Sequence, residues 1–307
     1  MAHHKIPLKT FHYKWDRTHR PVVRLRPGDD ATFEINEVTS WQIRKDSTAE
    51  TVKNMDLSKL YPLSGPVYVK GAEPGDTLVV EVIDVRAGEY GWSAIVEGLG
   101  LLPEFKGPYL HVWDLKGKKF ARFVKGIKIP IRPFCGVMGV ALPEDGSFDV
   151  LPPGKNGGNM DIKHLTAGAV LELPVWVEGA LFSTGDLHAA MGDGEVCVTA
   201  IECPGTARFK FSLKKRTKLE WPRYFTKGPD RQSKGYYVTT GIGPDLMEAS
   251  RDAVRSLIRH LVARYGLTEE EAYVLSSVSA DLRVHEVVDQ PNWVVGAMIP
   301  LDIFPNP

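Results

Sequence analysis

From its start to about residue 240 the chain alternates short apolar runs with turns marked by glycine and proline. That is the pattern of many strands joined by tight connections. Residues 22–36 (VVRLRPGDDATFEIN) read as strand, turn, strand about Pro27, Gly28 and Asp29. Residues 65–85 repeat the form about Pro74, Gly75 and Asp76, and residues 120–131 read as a hairpin pair. Residues 169–177 and 195–202 read as strands by the same test. Within residues 78–85 the alternation with charged positions is only partial, so both faces of that strand are expected to be covered. The glycine-marked turns resemble one another, which reflects shared turn chemistry rather than a repeat.

The period changes at Asp245. Leu246, Met247, Ala253, Val254, Leu257, Ile258, Leu261 and Val262 recur at helical spacing. One amphipathic helix over residues 245–265 follows, with its stripe used for packing. Gly266 is placed to stop it. Thr268 and Glu271 form a capping box that opens a second helix. Residues 280–288 and 293–299 close the chain as strands. The pattern is therefore β-rich α+β. No linker of biased composition divides it, so the boundary between a β-rich part, 1–150, and a part carrying the polar cluster and the helices, 151–307, is soft.

Composition narrows the function. The 307 residues carry 38 basic and 38 acidic side chains and no formal net charge. A nucleic-acid surface needs a basic excess, and this chain has none. The cluster Lys214, Lys215, Arg216 and Lys218 reads as a solvated strand end. No run of about 18 apolar residues exists to span a membrane, and the N-terminus lacks the apolar stretch of a signal peptide. Cys135, Cys197 and Cys203 form no CxxC pair, which argues against a disulfide framework or a cysteine zinc site. A reducing cytoplasm fits best.

Candidate chemistry is concentrated in residues 154–202, where Asn159, Asp161, Asp186, His188, Asp193, Glu195 and Glu202 are interleaved with glycine turns and apolar runs. Asp186 and His188, two apart, share a face if the segment is extended. A hairpin through Asp193 and Gly194 would return Glu195 to the same region. Each acid alone is more often a turn residue, and His188 alone is more often a hydrogen-bonded structural histidine. Together they suit a divalent cation with a spare carboxylate as base. Cys135 lies in an apolar run and reads as a buried thiol. His12, His19, His111, His164, His260 and His285 show no metal-binding spacing, and His260 reads as a surface residue. No serine-hydrolase elbow or phosphate-binding glycine loop is present.

At this cluster the chain resembles the acetamidase/formamidase family. Residues 152–202 (PPGKNGGNMDIKHLTAGAVLELPVWVEGALFSTGDLHAAMGDGEVCVTAIE) carry the longest match. Residues 64–69 with 75–85, residues 91–102, residues 134–141 and residues 279–288 carry the rest, in order. The resemblance implies a soluble amidohydrolase of small aliphatic amides, usually oligomeric. It implies stacked, sandwich-like β-sheets with a C-terminal α/β portion. It also implies a divalent metal, zinc in some members, with calcium as a second candidate. Carried over by motif, Asn159, Asp161, Asp186, His188 and Glu195 belong to the site. Where the family tends to have Phe-Glu-Thr-x-Asp, this chain has Phe33-Glu34-Ile35-Asn36-Glu37, so Glu37 takes the aspartate's place.

These residues give a mechanism as an expectation. Asp186 and His188, with Asp161 or Glu37, hold the cation; Glu195 is the general base; Asn159 orients the amide. Asp193 and Glu202 fall to turn and strand-end roles. Two other classes stay open: a thiol amidase using Cys135, and a metal-stabilised β protein without activity.

Overall fold

The computed structural model describes residues 1–228 and 233–304. Its strands form two large sheets. The wider has nine strands in the order His3–Ile6, Asp30–Ile35, Gly205–Lys214, Thr77–Ala87, Val170–Pro174, Arg223–Thr226, Tyr236–Gly243, Trp293–Pro300 and Asp281–Glu286. All its pairings are antiparallel except His3–Ile6 with Asp30–Ile35. The six-stranded sheet runs Gly157–Asn159, Phe134–Gly139, Phe182–His188, Leu63–Val69 and Phe11–His12, with Val23–Leu25 also paired to Leu63–Val69.

The sheets stack through their apolar faces. Phe182 from the narrower sheet packs edge-on against Phe33, Phe209 and Phe211 from the wider one, with ring centroids 6.0, 5.8 and 5.3 Å apart. All four rings are fully buried, and edge-to-face contact is the favoured geometry for such rings. Truncating any one to alanine costs about 3–5 kcal/mol. One continuous core runs from Ile6 to Met298, as expected of a two-sheet sandwich.

The turns read as hairpins do a different job. Residues 22–36 and 65–85 are strand, turn, strand, but the two strands of each pair lie in different sheets. Their Pro-Gly-Asp turns are corners that carry the chain from one layer to the other. Residues 120–131 do form a hairpin, Phe120–Arg122 with Lys128–Pro130. Residues 195–202 are not a strand. Glu195 and Val198 take left-handed φ of 45° and 67°, which breaks an extended run, and only isolated bridges tie Glu202 to Trp92 and His188.

The C-terminal helices fall where the pattern places them. Leu246–Tyr265 is capped by Asp245, whose side chain accepts from the Glu248 N–H, and ends at Gly266 in the left-handed conformation. Glu269–Ser279 opens with the Thr268–Glu271 capping box. Ala249, Ala253, Leu257 and Leu261 pack on Tyr237, Val295, Ala297 and Ile299 of the wide sheet. Gly241 permits that approach, because a Cβ there would lie 2.0 Å from the Ala249 carbonyl oxygen. His260 is half-buried and stacks on Tyr237 with centroids 3.7 Å apart. It is not a surface residue, because the helix turns it toward the sheet.

Candidate active site

The site forms along the edge of the narrower sheet. Phe134–Gly139 lies between Gly157–Asn159 and Phe182–His188, pairing Val137 with both Asn159 and Gly185, and Phe134 with His188. This central strand therefore sets Asn159 and the segment from Gly185 to His188 in fixed register. Asp161 follows directly, its N–H and that of Met160 both donating to the Gly136 carbonyl at 3.3 and 3.2 Å. A Cβ on Gly136 would lie 2.2 Å from Asp161 Oδ1, 2.7 Å from Asp186 Oδ2 and 3.0 Å from His188 Cε1. The missing side chain is the floor on which these groups converge.

Asp161, Asp186 and Glu195 all have left-handed backbones, with φ of 46°, 52° and 45°. Such conformations cost about 1–3 kcal/mol each for non-glycine residues and gather at functional sites. Asp186 therefore kinks the strand Phe182–His188, and this kink, rather than plain alternation, turns its carboxylate toward His188. Nε2 of His188 stands 3.3 Å from Asp186 Oδ1, 3.1 Å from Glu202 Oε2 and 3.8 Å from Glu195 Oε1. Nδ1 stands 3.6 Å from Asp161 Oδ1, and Phe134 covers the ring edge-on at 5.1 Å.

Three overlapping groups are each compact enough to hold one ion: Asp161 with Asp186 and His188, His188 with Glu195 and Glu202, and Asp161 with Glu195 and Asp289. Their donor atoms lie within 4.8 Å of one another. All are buried. Both Asp161 oxygens, His188 Nδ1, Glu202 Oε2 and Asn159 Oδ1 have no hydrogen-bond partner among the described residues. Buried carboxylates without donors are costly unless paired or coordinated, so the donor set fits a cation.

The electrostatics agree. Burial and the surrounding carboxylates push Glu195 and Asp289 well above the ordinary carboxyl range. The same causes bring Asp161 up to about 6 and Glu202 to about 8. Burial pulls the His188 imidazole down, but Glu202 and Asp186 outweigh it and leave it well above 6.5. Like charges crowded in a low dielectric favour bound protons or a bound cation.

Of the residues named from sequence, Asp161, Asp186, His188 and Glu195 come together, with Asn159 beside them. Asn159 Nδ2 donates to Asp289 Oδ2 at 2.7 Å. Glu37 belongs to none of these three candidate groups. Its carboxylate accepts from Thr39 N–H, Thr39 Oγ1–H, Trp41 N–H and Trp92 Nε1–H at 3.0, 2.5, 2.8 and 2.8 Å. That set occupies both oxygens and folds the turn after Asn36, which leaves Glu37 no oxygen to offer a metal. Asp193 binds Lys163 and Arg283 instead of the site. Cys135 is buried, and burial pushes its thiol up to about 12, the reverse of an activated nucleophile.

Sequence reasoning missed three contributors. Glu202, read as a strand end, is a full member of the cluster. Asp289 arrives from the turn after Asp281–Glu286, far along the chain with no local spacing to reveal it. Tyr61 has a left-handed φ of 58°; burial and the Asp289, Asp186 and Asp161 carboxylates hold its hydroxyl well above 10. Beside the site a cleft of about 1270 Å³ opens, and of the clustered acids only Glu195 lines it.

A family model described as the Acetamidase/Formamidase family matches residues 3–146 and 143–306. An acetamidase of Mycolicibacterium smegmatis is 29% identical, with 87% of this chain and 85% of that protein covered. A formamidase of Methylophilus methylotrophus is 27% identical, covering 95% and 89%. The crystal structure of an acetamidase from Bacillus halodurans superposes with a TM-score of 0.89 at 30% identity, over 97% of each chain.

Proposed function

The chain belongs to the acetamidase/formamidase family and is a hydrolase of carbon–nitrogen bonds in linear amides; from that premise we propose that it works through a divalent cation held by Asp161, Asp186 and His188. The observation that carries the reading is the convergence of these three buried side chains over Gly136 with both Asp161 oxygens unpartnered. Two carboxylates and one imidazole suit zinc or a similar borderline ion. The all-oxygen group of Asp161, Glu195 and Asp289 supports a harder ion such as calcium as a second occupant. When bound, a cation there lowers the pKa of water to about 7 and polarises the amide carbonyl.

The chain's own residues supply the rest. Glu195 is the one clustered acid that lines the cleft. Its raised affinity for protons suits a base that takes a proton from water and passes it to the departing nitrogen. Glu202 and Asp289 hold His188 and Asn159 in place from behind. Asn159 Oδ1 is buried and finds no donor among the described residues, which supports a role in accepting from the substrate amide nitrogen. Tyr61 stays protonated beside these carboxylates, an O–H of the kind that stabilises developing negative charge. The substrate class is a small linear amide of the formamide or acetamide kind.

The three cysteines are free, in keeping with a reducing cytoplasm. Leu99, Leu101, Leu102, Phe105 and Tyr109 are exposed on one short segment, which supports self-association through it. The test of the main reading is Asp186→Asn. It is expected to lose the metal and amide turnover together while the fold persists, and turnover retained without metal would overturn it.

A further inference from the structure

A second set of donor atoms stands on the wall of the cleft, outside the buried carboxylates. His164 Nε2, Asp193 Oδ1 and His285 Nδ1 lie within 4.8 Å of one another. Asp193 Oδ1 is 3.8 Å from each imidazole nitrogen, and the two rings meet edge to face with centroids 5.9 Å apart. These separations are too long for hydrogen bonds. All three atoms are buried and have no hydrogen-bond partner among the described residues. His285 is fully buried, so its unpartnered Nδ1, aimed at Asp193, needs an explanation.

The surroundings prepare these atoms as ligands. The other Asp193 oxygen is occupied by Lys163 Nζ at 3.0 Å and Arg283 Nη1 at 3.1 Å, which leaves Oδ1 facing the imidazoles. Tyr224 Oη lies 3.2 Å from His285 Nε2. With Nε2–H donating to that oxygen, Nδ1 carries the lone pair, the arrangement that orients a ligand histidine. Gly296 makes room for the ring, since a Cβ there would meet Nε2 at 2.2 Å. Burial keeps both imidazoles below their usual pKa, His164 near 4, so both are neutral donors at neutral pH.

We infer that His164, Asp193 and His285 bind one borderline transition-metal ion of the Cu²⁺ or Zn²⁺ class, in an outer site separate from the buried one. Lys163 and Arg283 place positive charge beside it. The affinity therefore rests on the two imidazoles, which selects borderline ions over Mg²⁺ and Ca²⁺. His164 and Asp193 line the cleft, so an ion would reach the site from that side. Asp193 and Glu195 flank Gly194, whose N–H donates to the His285 carbonyl at 2.8 Å. An ion at this place clamps the Glu195 turn to the strand Asp281–Glu286.

The test is copper titration of the whole, metal-stripped protein, read by electron paramagnetic resonance. The buried cluster contains one imidazole, His188, and the outer one contains two. Cu²⁺ alone is expected to give a species split by two imidazole nitrogens in the wild type, absent in His164→Gln and weakened at least tenfold in Asp193→Asn. Both substituted residues are only half-buried, so folding should survive. A wild type without the two-nitrogen species, or one unchanged in His164→Gln, overturns the outer site. The readout does not use amide turnover, so its failure would leave the buried site's role standing.

Discussion

A Cβ on Gly136 would lie 2.2 Å from Asp161 Oδ1, so the carboxylate rests against bare backbone. Gly136 has no positive φ to protect, and its role is therefore space. Gly136→Ala must push Asp161 and Asp186 off their floor. Overpacking of this kind costs about 1–3 kcal/mol. The effect on turnover is expected to be far larger, about 100-fold or more, since small displacements of reacting groups carry such losses. Metal content and kcat, measured beside the melting temperature, separate the two.

Glu195→Gln removes the base and leaves the ion's nearest ligands intact. Turnover is expected to fall by about 10²–10⁴-fold with the zinc held by Asp161, Asp186 and His188 unchanged. Near-wild-type ammonia release would remove Glu195 from the mechanism.

Glu37→Gln has a different signature. Four donors point at the Glu37 carboxylate, and an amide nitrogen would face at least one of them. The loss of these bonds is expected to destabilise the fold by about 1–3 kcal/mol, seen in chemical denaturation. Metal content and kcat of the folded fraction are expected to stay within a few-fold of wild type.

The metal-free protein is expected to lose stability as pH rises. Burial raises Asp161 to about 6 and both Glu202 and Glu286 to about 8. The folded state thus binds more protons than the unfolded chain, and stability has a negative slope with pH. The contribution is complete below about 4.5, the ordinary carboxyl value, and is lost as pH climbs through 8. A bound cation needs the same groups deprotonated. The stabilisation gained on adding metal, read as a melting-temperature shift, is expected to grow from pH 5.5 to pH 8.

The helices were legible residue by residue, because Asp245, Gly266 and the Thr268–Glu271 pair act on their immediate neighbours. The strands were legible as elements but not as partners. Residues 22–36 and 65–85 look like hairpins and are corners between sheets, since a turn's sequence fixes its bend and not what its flanks pair with. Asp161, Asp186, His188 and Glu195 could be named from one motif. Asp289 could not, because only the pairing of Asp281–Glu286 at the sheet edge returns it to Asn159. Glu202 is hidden from the sequence because residues 195–202 carry an extended pattern, whereas the left-handed turns at Glu195 and Val198 bring its carboxylate to His188.

The most direct measurement is ammonia release from formamide and acetamide by the full chain, before and after exhaustive chelation, with metal counted in the same samples. The expected result is turnover that disappears on chelation and returns in step with re-added zinc, saturating when the buried site is filled. Undiminished turnover in metal-free protein would contradict the account.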